Sequence, residues 1–551
     1  MTLRELVKTI DKKEWRFVIL LCIVMILITG LPYVYAYLNA PQGYFYNGIH
    51  SLTSADTPVY FSYINQIKSD QLMIKDNFTS ENQPIGIINL VWLIVGLLAY
   101  ILNLQPFWAF FIFRLFLIPI CLIIFYIFTS YFFSDQVKRK LTLIFICFSS
   151  GIGIYFANLF NAFYPNIEDG KIYKWPIDLW LPESNMFLSL YQSPHLILSW
   201  TLMILFFLFM LLALSNNKFF YSILAGLIGF FWFNFHPYYF PAVFIIVFIY
   251  ALILFWPLKR WSMWLHYILS LILSLPFIIY HYYLIKTDFF IGTRAARNIA
   301  LTPPFIFVFL GFGFLLIFAV AGLIYQIKAK NLFKNKKIIF LTVWLIIGLI
   351  LLYMPFNWQR RFLMGLQIPM VFFTVIFLVA LTDFCKKKYN KLFLFLKKNY
   401  LTLTFIFIFF FGLSNVFDYV RDFYFFKNQL PLFYLSNDYL NAANWLKINN
   451  QNNKIILSQN LNGLIIPSLV NQRVFLAHGH ETIDFNAKTS KVNDYFANKY
   501  SEKEATKFLQ ENNIGYIFYT NIEKNKLAID EQKYLNKVFS SEQIQIFEFI
   551  N

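Results

Sequence analysis

An aspartate followed at once by Thr-Pro, in Ser54-Ala55-Asp56-Thr57-Pro58-Val59-Tyr60, comes shortly after the first long apolar run of this chain. A carboxylate in such a place can take the proton of an attacking hydroxyl as a general base. Asp ahead of Thr-Pro is also a common helix cap, with its charge at the positive end of the helix dipole, and the two roles do not exclude each other. If the leaving group is a phosphate, cations must meet the charge that develops on it. Arg114 lies about two turns inside an apolar run, at 1.5 Å per residue. A charge at that depth is costly unless it is partnered or lines a cavity, so structural pairing and function both stay open for it. Arg294 and Arg297 share one polar loop and Arg360-Arg361 another; lipid headgroups are the alternative ligand for these four. Trp180-Leu181-Pro182-Glu183-Ser184 and Ser193-Pro194-His195 bring Glu183 and His195 to the edge of a further apolar run, and His236-Pro237 edges the next. A divalent metal held by His195, His236 and Glu183 is conceivable, but no ligand spacing supports one. The densest polar motif is Arg473-Val474-Phe475-Leu476-Ala477-His478-Gly479-His480-Glu481-Thr482. His478 and His480 alternate, so a continuing strand would turn both to one face.

The elements that must position these groups are read from composition. Of 551 residues, 59% are hydrophobic and 13% charged, with 69 Phe and 35 Tyr; soluble domains carry about 25% charged residues. Only a bilayer accommodates that much apolar surface, in runs of roughly 20 residues. The formal charge of +18 sits in short clusters between apolar runs, the pattern of cytoplasmic loops rather than of nucleic-acid binding. The four cysteines, Cys22, Cys121, Cys147 and Cys385, make neither a disulfide framework nor a zinc spacing.

Expected spans are 17–38, 107–133, 140–160, 194–214, 219–235, 238–256, 263–285, 304–327, 337–353, 361–382 and 400–420. Basic clusters at Lys138-Arg139-Lys140, Lys218, Lys259-Arg260, 328–337 and 386–398, placed inside with the N-terminus, make the loops alternate correctly. The 85–133 region then crosses once, with 85–104 as a juxtamembrane helix or shallow hairpin. This gives about eleven spans over 1–420, an external first loop at 39–106, and an external tail at 421–551 in the plasma or inner membrane. The tail reads as a small α/β domain: a helix over 438–450, strands at 454–457, 474–476 and 515–519, and a helix over 502–512. Walker, nucleophile-elbow and His-Glu-x-x-His motifs are absent from the sequence.

In this order the residues (Asp56 followed by Tyr60, a Pro84-led apolar segment, Arg114 in the next span, then a cascade of helices) resemble the GT-C superfamily of polyprenyl-phosphate-sugar glycosyltransferases. Protein mannosyltransferases and aminoarabinose transferases belong to it. The chain is similar to bacterial members with Pro-Glu-Ser, Pro-His and Gly-His motifs, here Pro182-Glu183-Ser184, Pro194-His195 and Gly479-His480. The resemblance covers about 15–420, with the tail as a weaker extension. It implies an all-α polytopic enzyme that moves a sugar from a polyprenyl-phosphate donor to a glycan, lipid or protein acceptor. Asp56 is the implied base, and Arg114 matches the Arg after the juxtamembrane segment. Arg360 and Arg361 are further candidates for the donor phosphate. Two features depart from the family pattern: Thr57 follows Asp56 where a second acid is frequent, and His195, with Glu183 upstream, stands where a later acid is frequent. A lipid-sugar flippase or polymerase, or a non-enzymatic membrane protein, is the alternative. Those would put ionisable groups deep in many spans or polar groups at midplane, whereas here they gather at helix edges.

Overall fold

The computed structural model describes every residue except Met1, Thr53, 160–174, 256–260, Phe333, 399–402, 404–405, 521–528 and Asn551. The chain is a multi-pass membrane protein. Among the described residues, eight stretches are long and apolar enough to cross a bilayer: Lys12–Leu38, Pro106–Phe132, Gln136–Phe156, Pro194–Asn216, Pro237–Phe255, Trp261–Thr287, Phe305–Lys328 and Gln359–Lys388. Two more expected spans are helices, Phe219–Phe235 and Lys336–Leu351. At 1.5 Å per residue they reach only about 24–26 Å, short of a ~30 Å hydrocarbon core. The expected span 400–420 falls partly outside the described residues, as do Lys259-Arg260 and the start of the 161–193 loop. Leu90–Ile101, capped by Asn89, is a helix of 12 residues. That is about 18 Å, too short to span.

Two compact units are each assembled from three separate stretches. The helical unit comprises Met1–Pro32, Phe113–His281 and Ile299–Phe423; the mixed unit comprises Tyr33–Ile112, Tyr282–Asn298 and Tyr424–Asn551.

In the helical unit the span expected over 140–160 is interrupted. The helix ends at Phe148, Ser149 is extended, and a 3-10 turn follows over Gly153–Phe156. Gln367 accounts for the break by donating to both the carbonyl and the hydroxyl of Ser149. The helix Phe305–Lys328 kinks at Gly313, whose φ of +50° suits glycine. The kink leaves the Leu310 carbonyl to accept Ile152 N at 2.8 Å. Gly151 allows that approach, since a Cβ there would meet the Gly311 carbonyl at 2.3 Å.

The mixed unit carries two sheets. Strands β1 (Tyr44–Tyr46) and β2 (Tyr434–Ser436) pair antiparallel, with Tyr44 opposite Ser436. A four-stranded sheet has the order β3-β4-β6-β5. Here β3 is Ile455–Leu457, β4 Ile514–Thr520, β5 Leu535–Ser540 and β6 Ile544–Phe549. The β3–β4 pair is parallel and the others antiparallel. Helices Asn437–Asn449 and Glu502–Glu511 lie where the tail's periodicity places them, the second opened by a Ser501/Glu504 capping box. Ile455, Leu457, Phe475, Val492, Phe508, Leu509, Ile517 and Phe547 form its core.

The expected strand at 474–476 is one rung only, an Ile456–Val474 bridge. Val474 N donates to Asn77 O and Phe475 N to Ile456 O, so successive amides serve two different segments and no ladder extends. The chain then closes a tight turn, Thr482 N to His478 O at 2.8 Å. His478 is therefore buried and His480 exposed, rather than both facing one way.

Candidate functional site

In the mixed unit Asp56 is the first helical residue of Asp56–Lys68; the cap position belongs to Ala55. Its side chain stays 46% exposed, while His478 beside it is 6% exposed. His478 Nε2 lies 3.3 Å from Asp56 Oδ1. The other ring nitrogen, Nδ1, accepts the backbone N–H of His480 at 3.1 Å and of Glu481 at 3.3 Å. An imidazole nitrogen that accepts cannot carry the proton. The neutral ring is thereby fixed as the Nε2–H tautomer, which donates to Asp56. Burial alone would lower the His478 pKa; the hydrogen bond to Asp56 and the charges of Asp56 and Glu481 outweigh it and raise it.

The turn that presents His478 is held from several sides. Thr482 Oγ1 accepts Ala477 N at 3.1 Å. Arg297 donates to the carbonyls of Thr482 at 2.7 Å and Gly479 at 3.3 Å. Arg294 forms an ion pair with Glu481 and donates to the Tyr63 hydroxyl at 3.0 Å. Tyr63 sits on the same helix as Asp56, about two turns further on. Beneath Glu481 lies Asp76, buried, with Oδ1 accepting Phe78 N at 2.8 Å. Burial, then the Glu481 charge, pushes the Asp76 pKa well up. Burial acts upward on Glu481 too, but the charges of Arg294 and His478 hold it below its ordinary value. Burial and charge together thus favour the neutral form at Asp76 and the charged form at Glu481.

The helical unit holds the other predicted residues. Arg114 is fully buried and donates to the carbonyls of Leu190 (2.8 Å), Tyr191 (3.2 Å) and Thr29 (3.1 Å). The first two belong to the last turn of helix Met186–Gln192, the negative end of its dipole. This geometry favours the structural role for Arg114. Glu183, in a 3-10 turn, forms an ion pair with Arg361. The Arg361 guanidinium lies 5.5 Å over the Tyr238 ring, and that of Arg360 lies 5.1 Å over Trp180. His195 Nδ1 meets the Ser193 hydroxyl. His236 Nδ1 is 2.9 Å from Ser199 Oγ, which accepts Trp232 Nε1 at 2.7 Å. The two rings sit edge to face, with centroids 5.3 Å apart. Glu183 is thus paired with Arg361, His195 and His236 each meet a serine hydroxyl, and Arg360 lies over a ring.

Among the described residues no three His, Cys, Asp or Glu side chains gather to hold a metal. The donor chemistry at Asp56 does not suit one either. Ligation through His478 Nε2 needs that lone pair free and the proton on Nδ1, where two backbone N–H groups already point. Tyr63 and the Asp76–Glu481 pair were not singled out from sequence, since Asp76 pairs with a residue some four hundred positions away. Asp178 was also missed; it is fully buried, accepts Gly153 N at 3.1 Å, and is pushed up to about 7 by burial.

No family model and no curated protein sequence matches the chain. Among solved structures it superposes on the archaeal oligosaccharyltransferase AglB from Archaeoglobus fulgidus in complex with an inhibitory peptide and a dolichol-phosphate. There the TM-score is 0.54 at 12% identity, over 92% of this chain and 70% of that one. An Archaeoglobus fulgidus oligosaccharyltransferase tethered with an acceptor peptide containing the NVT sequon gives a TM-score of 0.52 at 12% identity, over 90% and 69%. Its apo form gives 0.52 at 11%, over 91% and 69%. The chain thus has the GT-C fold, a polytopic helical membrane protein with a small sheet domain near the C-terminus.

Proposed function

We propose that this protein is an inverting glycosyltransferase that uses a polyprenyl-phosphate sugar and works at the outer face of the cell membrane. The observation that carries this reading is the half-exposed Asp56 carboxylate held by a buried histidine of fixed tautomer. Asp56 takes the proton of the acceptor hydroxyl. The acceptor oxygen bonds the anomeric carbon, and the bond from that carbon to the phosphate oxygen breaks. Its electron pair leaves with the polyprenyl phosphate. His478 is a positioning residue: its Nε2–H meets Asp56 Oδ1 and orients a carboxylate that stays 46% exposed. The oligosaccharyltransferase structures hold a dolichol-phosphate in one case and an acceptor peptide in another, which supports a lipid phosphate on the donor side here. Arg360 and Arg361, set among aromatic rings, are the helical unit's candidates for binding a lipid phosphate, because guanidinium matches phosphate geometry. No step is assigned to a metal, given the tautomer at His478.

Release of polyprenyl phosphate from polyprenyl-phosphate hexoses by the reconstituted full chain tests the assignment whatever the sugar. Asp56→Asn is expected to lower turnover by about 10²–10⁴-fold, the usual weight of a general base, with the thermal unfolding temperature unchanged. Full turnover in Asp56→Asn removes Asp56 from the chemistry.

A further inference from the structure

A cavity of about 310 Å³ in the mixed unit, separate from Asp56, is lined by carboxamides and two cations, with no carboxylate among its lining residues. That volume is at the small end of the ~300–1,000 Å³ usual for ligand pockets. Its amides are ordered by one another. Asn77 Nδ2 donates to Asn471 Oδ1 at 2.7 Å, and Asn471 Nδ2 donates to Gln71 Oε1 at 2.9 Å. Asn77 is 5% exposed, so the Asn77-Phe78-Thr79 sequon is built into the wall rather than offered for modification. Gln83 clamps the Asp76 peptide from both ends, accepting from its N–H and donating to its carbonyl, each at 2.7 Å. Lys75 and Arg473 supply the charge. Arg473 donates to the Glu81 carbonyl at 3.4 Å, and burial lowers its pKa, opposed by the Glu81 charge.

The geometry points to a subsite for an acidic saccharide: carboxamides pair donor and acceptor against neighbouring hydroxyls, and Lys75 with Arg473 meets a carboxylate or phosphate on the sugar. Two chain segments build both this cavity and the Asp56 cluster. Asp76 turns its peptide to Gln83 and its carboxyl to Glu481, and Arg473 leads five residues on to His478. Calling the bound sugar part of the acceptor rests on the proposed transferase activity; the binding itself does not.

The test is saturation-transfer NMR and calorimetry on the full chain in detergent, with trigalacturonate, its methyl-esterified neutral form and inorganic phosphate as probes. Trigalacturonate is expected to bind about tenfold more tightly than the neutral form. Arg473→Gln or Lys75→Gln should erase that preference, Arg473→Lys should restore most of it, and Asn471→Ala should weaken both saccharides. Asp56→Asn should leave trigalacturonate binding intact, so this idea and the catalytic assignment fail separately. Equal affinity for the neutral probe, or wild-type trigalacturonate binding in the Arg473→Gln, Lys75→Gln double variant, overturns the proposal. So does phosphate binding without saccharide binding.

Discussion

The two units handle their ionisable residues differently. In the helical unit, Glu183 is matched with Arg361, and His195 and His236 each with a serine, while the Arg360 and Arg361 guanidinium groups lie over aromatic rings. Those contacts are local. In the mixed unit the partners form a directed chain: Asp76 lies against Glu481, Arg294 and the turn fix Glu481, the turn fixes His478, and His478 donates to Asp56. Only the last member is substantially exposed. A buried polar network is costly unless every member is satisfied. Here Arg294 neutralises Glu481 inside, and the carboxylate at the end of the chain stays half-exposed, which is what a base needs and what a closed ion pair does not offer.

The largest test of this contrast is removal of the arginine from each unit. Arg294→Met strands the largely buried Glu481 carboxylate, and breaking a fully buried pair costs about 3–5 kcal/mol, the upper bound here. It should lower the unfolding temperature and collapse turnover together. Arg361→Gln should act mainly on the donor, raising its KM severalfold with a smaller loss of kcat. If Arg361→Gln instead lowers kcat as far as Arg294→Met does with donor KM unchanged, the two units do not divide in this way.

A finer test uses the raised proton affinity of Asp76. The folded state keeps the Asp76 proton above the pH, about 3.9, at which the unfolded chain releases it. Folding therefore binds a proton, and the stability contribution of Asp76 falls as pH rises from about 4 toward its raised folded value. Asp76→Asn supplies a permanently neutral side chain. Its unfolding temperature should decline less than that of the wild type between pH 5 and pH 8, as thermal scans of both proteins will show. Parallel declines would mean that folding does not raise the proton affinity of Asp76.

Much of the architecture was legible because a bilayer makes a strong demand on sequence. Runs such as 107–133 and 194–214 have no soluble reading, and the structure has helices at Pro106–Phe132 and Pro194–Asn216. The break after Phe148 was not legible, since Gln367 causes it from far along the chain. The site was legible as residue types and not as pairings. Asp56, Arg294, His478 and Glu481 stood out as polar groups beside apolar runs, but only the fold joins them. Alternation put His478 and His480 on one strand face, and the turn to Thr482 undid that. Asp76 gave no local signal, because its carboxyl acquires meaning only against Glu481.

A double-mutant cycle on donor turnover measures most directly whether Asp56 and His478 work as one unit. His478→Gln alone should lower kcat by up to about a hundredfold, the loss expected from misplacing a reacting group, with donor KM unchanged. In the Asp56→Asn background the same substitution should cost almost nothing further, because the residue acts only through that carboxylate. Losses that multiply in the double variant would contradict the account, since His478 would then contribute by a route that does not pass through Asp56.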